Sequence, residues 1–227
     1  RKMSEEDLRL TAYHEAGHTL VGLHCEHATP LHKVTIMPRG NAYLGATMYL
    51  PEKDQYTQSR SELLDSIAVS VGGRLAEEIE FGEITNGASS DIQQATAIAR
   101  RMVRDWGMSS AMGFIQYSSD DQSGYKFTNE YSDETALRLD EEVRKIVDGQ
   151  FERARAILLE NRDQLTLLSE TLLKKETMSA KEVRELLGMK VEVVAVVEDV
   201  KEDESTDEKV SIDEGAAEVA SEEKEVE

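Results

Sequence analysis

Residues 14–18 read His-Glu-Ala-Gly-His, and this spacing constrains the chain more than any other feature. A helix puts residues i and i+4 on one face, about one turn apart. His14 and His18 can then meet one metal ion at about 2.0–2.1 Å. Glu15 lies about 100° further round the helix and can flank the open side of the ion. A carboxylate there takes a proton from the metal's water and passes it to a leaving amine. The pattern points to zinc-dependent hydrolysis of an amide. The flanking sequence predicts the helix that this chemistry needs. Ser4-Glu5-Glu6-Asp7 is a capping box, and Leu8, Ala12, Ala16, Leu20 and Leu23 recur at helical spacing to about His27. Ala12, Ala16 and Gly17 are small and are expected to leave room for metal and substrate.

Two histidines do not complete a protein zinc site, and three residues compete for the third position. His24 stands ten residues after His14, as in the long motif HExxHxxGxxH, but Val21 occupies the place where that motif needs glycine to break the helix. In a continuing helix His24 sits about 9 Å further along the axis than His18 and cannot share the ion. His24, Cys25 and His27 therefore read as polar residues at a helix end. Glu78 falls in the apolar stripe of a second helix, where a carboxylate is costly unless paired or ligated. Asp91 sits in the first turn of a third helix, where an acid also compensates the helix dipole. Spacing alone does not choose between Glu78 and Asp91.

The 227 residues carry a formal charge of −20, which excludes nucleic-acid binding through bulk charge. The excess is uneven: residues 191–227 hold 15 acids against three lysines. This acidic, low-complexity stretch predicts a disordered tail from Met189 onward, after a metallopeptidase domain over residues 1–188. A single cysteine, Cys25, rules out an intrachain disulfide and suits a reducing compartment. No apolar run reaches the roughly 18 residues of a membrane-spanning helix. The chain begins with Arg1 and is expected to be a soluble piece of a longer parent.

The fold class expected is mainly α with a small β element. Strands are predicted at Val34–Met37 and Leu44–Leu50, joined by a turn through Pro38-Arg39-Gly40-Asn41. Helices are predicted from Thr57 to about Ile79, from a Ser89 or Ser90 cap to about Trp106, and from Ser132 to about Lys175 with a break near Asn161. Gly107 to Thr128 reads as a loop with one short hairpin. Ser179-Ala180-Lys181-Glu182 is a second capping box, with Gly188 as a helix stop.

TAYHEAGH, HKVTIMPRG, GGRLAEEIEFG, NGASSDIQQATAIARRMV and YSDET together resemble the peptidase domain of the FtsH-type AAA+ metalloproteases. The resemblance runs in order from about Lys2 to about Gly188. It implies a mostly helical domain, one zinc per subunit, and proteolysis of unfolded polypeptide fed by an upstream ATPase. It also implies a homo-hexamer and a parent anchored in a membrane, either the bacterial inner membrane facing the cytoplasm or an organellar one. By the same resemblance His14 and His18 are zinc ligands, Glu15 is the catalytic carboxylate and Asp91, the Asp of GAxxD, is the third ligand. Glu78 then takes a structural or supporting role. The stretch Asn41 to Leu50 matches the strand bordering the family's cleft, able to hold an extended substrate by its backbone.

No counterpart of the family's ATPase domain is expected within these 227 residues. Gly40 to Thr47 has P-loop glycine spacing, but Ala46 stands where the lysine must be, so no nucleotide site is expected there. A non-catalytic ring-forming scaffold is the main rival. The presence of Glu15 with both histidines argues against it. A secreted metzincin-like protease is disfavoured by the displaced glycine and the lack of a cysteine pair.

Overall fold

The computed structural model describes residues 3–38, 45–51, 57–117 and 131–190. They form six helices and one three-stranded sheet, within a unit spanning Arg1–Val191. The expected turn at 38–41 and most of the expected loop hairpin lie outside the described residues, as does the acidic tail beyond Lys190. Residues 107–117, the described part of that loop, contain no strand.

Helix α1 (Glu5–Leu23) is central, and every residue from Thr11 to Val21 is buried except His14, which is partly so. Ser4 caps it: Oγ accepts from the Asp7 N–H at 3.0 Å. The helix stops at Leu23, four residues short of the expectation. The chain turns because buried Asp65 accepts the His27 N–H at 2.8 Å and is itself held by Arg153 at 2.6 Å. A fixed carboxylate thus replaces the helical partner of that N–H.

Helix α2 (Arg60–Phe81) opens on a Ser59/Glu62 capping box and closes on Gly82 in the left-handed region, φ 69°. It crosses α1 at close range. A Cβ on Gly17 would press into the Gly72 carbonyl oxygen and come within 2.7 Å of Ala76 Cβ. A Cβ on Gly72 would lie 2.8 Å from the Gly17 carbonyl oxygen. The small residues of α1 therefore serve helix–helix packing, not a space for metal and substrate as the sequence suggested. Ala12 and Ala16 are fully buried in the core. Gly17→Ala should lower stability by about 1–3 kcal/mol through overpacking, a fall in Tm of several degrees by calorimetry. Gly149, with nothing within 4 Å of its virtual Cβ, is the control. Gly149→Ala in mid-helix should be neutral or gain up to about 1 kcal/mol.

A 3₁₀ turn (Asn86–Ala88), capped by Thr85, leads directly into α3 (Ser89–Arg104). Ala88 is the N-cap of α3 and no side chain caps it, so Ser89 and Ser90 are helical residues and not the expected cap. The preceding turn already orders the chain, which removes the need for a hydroxyl. Helix α4 (Asp133–Glu160) begins at Ser132 as expected. The chain breaks at Asn161 and continues as α5 (Arg162–Lys175). After α6 (Ala180–Leu186), with its Ser179/Glu182 capping box, Gly188 turns at φ 66°. Core side chains such as Leu20, Ile67, Met102, Leu139 and Leu168 are wholly buried.

Strands β1 (Leu31–Thr35), β2 (Ala46–Tyr49) and β3 (Thr177–Ser179) form an antiparallel sheet in the order β2-β1-β3. β3 is too short, at three residues, to carry an alternation signal, and the sequence did not show it. β2 lies at the edge and packs against α1 as well as β1. Among the described residues, no helix is long and apolar enough to cross a membrane.

Candidate metal centre

His14 and His18 project from the middle of α1, one turn apart, and Asp91 comes from the first turn of α3. His14 Nε2 and His18 Nε2 are 3.0 Å apart. Asp91 Oδ2 lies 3.2 Å from the first and 3.5 Å from the second. Tetrahedral bonds of about 2.0–2.1 Å put ligand atoms roughly 3.3 Å apart, so one ion fits among these three.

The outer hydrogen bonds fix what the three atoms can do. His14 Nδ1 faces Glu77 Oε1 at 2.6 Å, and His18 Nδ1 faces the Val69 carbonyl oxygen at 2.7 Å. Both partners are acceptors, so each Nδ1 carries the proton and donates. Each neutral ring then presents a bare lone pair at Nε2. Two lone pairs and a carboxylate oxygen thus converge with no hydrogen between them. A cation set among the three atoms satisfies that arrangement.

Without a metal the cation is a proton. Burial disfavours a charged His14, but its hydrogen bonds to Asp91 and Glu77, together with the Glu15 charge, outweigh burial and hold its pKa up at about 10. Burial also opposes ionisation of Asp91, yet His14 and His18 hold its carboxyl well below the usual carboxylate range. The same field that retains a proton attracts a divalent ion.

Gly73 supplies the floor. A Cβ there would lie 2.6 Å from both His14 Nε2 and His18 Nε2. The two imidazole nitrogens therefore occupy the space that any side chain at this position would need. Gly73 and Glu77 are i and i+4 on α2, one under the imidazoles and the other locking a ring.

Glu77 is the site residue that sequence reasoning missed. It is 2% exposed, and its Oε2 accepts from the Thr85 N–H at 3.3 Å and Oγ1–H at 3.0 Å. It joins His14 to the turn that carries Asp91. Burial raises its pKa, but His14 and Thr85 outweigh burial and leave it lowered. Glu78, one residue on, points elsewhere: both its oxygens accept from Arg155 Nη2, at 3.2 and 3.3 Å. It belongs to the α2–α4 packing and not to the cluster. His24 is equally distant in role, capping α1 with its ring 3.4 Å from Gln164 Oε1.

Glu15 lies beside the cluster, 7% exposed, with Oε2 2.6 Å from Thr47 Oγ1 on β2. The arrangement could hold a cation, with a buried carboxylate at its flank, under an edge strand.

The model for peptidase family M41 matches residues 1–186. The chain belongs to peptidase family M41. An "ATP-dependent zinc metalloprotease FtsH 3" of Petrotoga mobilis is 46% identical to this M41 chain, covering 82% of it and 30% of the relative. A protein of the same name from Symbiobacterium thermophilum is 49% identical over the same shares. "ATP-dependent zinc metalloprotease FtsH" of Rickettsia felis is 51% identical, again over 82% and 30%. The M41 chain thus spans less than a third of the length of these relatives. The family resemblance read from HEAGH, GGRLAEEIEFG and NGASSD stands.

Proposed function

We propose that this chain is the zinc peptidase portion of an ATP-dependent protease and hydrolyses peptide bonds within unfolded polypeptides. The observation that supports it most is the convergence of His14 Nε2, His18 Nε2 and Asp91 Oδ2 as three acceptors beside Glu15. In this reading His14, His18 and Asp91 hold one zinc ion. Bound zinc supplies Lewis-acid polarisation of the scissile carbonyl and acidifies water at neutral pH. Glu15 takes the proton that water gives up and returns it to the leaving nitrogen. Glu77 keeps His14 in the tautomer and orientation that ligation needs. Strand β2, at the sheet edge, receives substrate as a further extended strand by backbone hydrogen bonds, reading side chains weakly.

The relatives' names speak of ATP dependence, and an ATPase region of the longer protein would unfold and deliver substrate. In that longer protein the reading also includes a homo-hexamer and a membrane anchor. A folded substrate cannot present its backbone to an edge strand and a buried metal together. The chain by itself should therefore cut peptides and unstructured proteins without nucleotide. It should leave a stably folded, tagged protein intact even with ATP. A gel time course with both substrates, with and without ATP and chelator, tests this. ATP-stimulated degradation of the folded substrate by this chain alone would overturn the division of labour, and chelator-insensitive cleavage would overturn the metal reading.

A further inference from the structure

Glu15 is not held by its own helix. Its carboxylate is held by Thr47 on β2, 32 residues away in sequence. Thr47 has one hydroxyl proton and two acceptors in reach: Glu15 Oε2 at 2.6 Å and the Glu15 carbonyl oxygen at 3.2 Å. The shorter contact to an ionised oxygen takes the proton. Fully buried Thr19, one turn after Glu15, has its Oγ1 3.4 Å from Thr47 Oγ1 and faces the lone pair that remains. Two residues back, immediately before β2, Gly45 lies against the same carboxylate. A Cβ at Gly45 would sit 2.9 Å from both Glu15 Oε1 and Glu15 Cγ. Positions 45 and 47 lie on the same side of the strand, since side chains alternate. One makes space for the carboxylate and the other bonds it.

We propose that Thr47 is a positioning residue for Glu15, so that β2, the strand offered to substrate backbone, also sets the aim of the carboxylate that moves the proton. The inference rests on the reading of Glu15 as the proton-transfer group. It separates two roles of one strand. Backbone groups of β2 govern substrate affinity, while the Thr47 hydroxyl governs turnover. Thr47→Val keeps shape and strand preference and removes only the hydroxyl. Thr47→Ser keeps the hydroxyl.

Two measurements test it. The first is peptide hydrolysis by the zinc-loaded chain, with metal content determined for each variant. Thr47→Val should keep its zinc and its KM within about twofold while kcat falls on the order of 10-fold to 10²-fold, the usual scale for a misaimed group. Thr47→Ser should recover most of the loss. The second is independent of activity: a double-mutant cycle on the melting temperature of the metal-free protein. Thr47→Val should lower Tm by several degrees when Glu15 is present and by much less in a Glu15→Ala background. Additive Tm shifts would overturn the proposal, as would a Thr47→Val enzyme with unchanged kcat. Equal loss of kcat in Val and Ser variants would also overturn it, since strand geometry and not the hydroxyl would then be responsible. A Glu15→Gln protein that remains active would instead bring down the reading of Glu15, and the proposal with it.

Discussion

Glu15→Gln should fold, keep its zinc, and lose peptide hydrolysis. Glu15 is not among the three converging acceptors, so the metal complement stays. The amide oxygen can still accept the Thr47 hydroxyl, so the side chain stays in place. What disappears is basicity, because an amide does not take a proton from water. A general acid–base group contributes typically about 10²–10⁴-fold, or about 3–5 kcal/mol of barrier. Turnover of a fluorogenic peptide, measured alongside elemental zinc, gives the answer. A kcat within about threefold of the parent would remove Glu15 from the reaction.

Asp91→Ala should lose the metal, and Glu78→Ala should not. Asp91 supplies the one anionic oxygen of the cluster, 3.2 and 3.5 Å from the two imidazole nitrogens. Its removal leaves two neutral donors, too few for a closed protein contribution to a zinc site. Glu78 is committed to Arg155, and its loss costs only a partly exposed ion pair, about 0–1 kcal/mol. Glu77→Gln should fall between them. The His14 ring loses its ionised partner but not its place, and outer partners of this kind are worth roughly 10–100-fold in metal affinity. Zinc titration of the three variants ranks them. Retention of full zinc by Asp91→Ala with loss in Glu78→Ala would reverse the ligand assignment.

The local features of the fold were legible where chemistry is local. Ser4, Ser132 and Ser179 end up at the helix N-caps expected of them, and Gly188 turns with positive φ. The His14–His18 pair was legible because helix geometry alone aligns it. Asp91 needed the GAxxD resemblance, since nothing in its own turn distinguishes a ligand from a dipole-compensating acid. Glu77 was hidden by a phase error of one residue. The apolar stripe Ile67, Val71, Leu75 extends to Glu78, but α2 is covered by α1 on one side and α4 on another. Its buried arc therefore runs wider than one stripe and takes in Gly73 and Glu77. The function of Gly17 was misjudged for a similar reason: a small residue shows that something comes close, and sequence does not say what. The ending of α1 at Leu23 depended on Asp65, 38 residues beyond His27, a contact no local pattern announces.

The cluster draws on α1 and α3, 73 residues apart between His18 and Asp91, with Glu77 and Thr85 tying the intervening turn to the same point. A metal bound there acts as a reversible cross-link across that long loop. The unfolded chain has no such preformed site, so every increment of binding free energy becomes folding free energy. At a free metal concentration of 1,000 times Kd the gain is about 4 kcal/mol, a large share of the total stability of an ordinary domain. Metal loading and mechanical integrity would thus be drawn from one reservoir: emptying the site would loosen the domain that carries it.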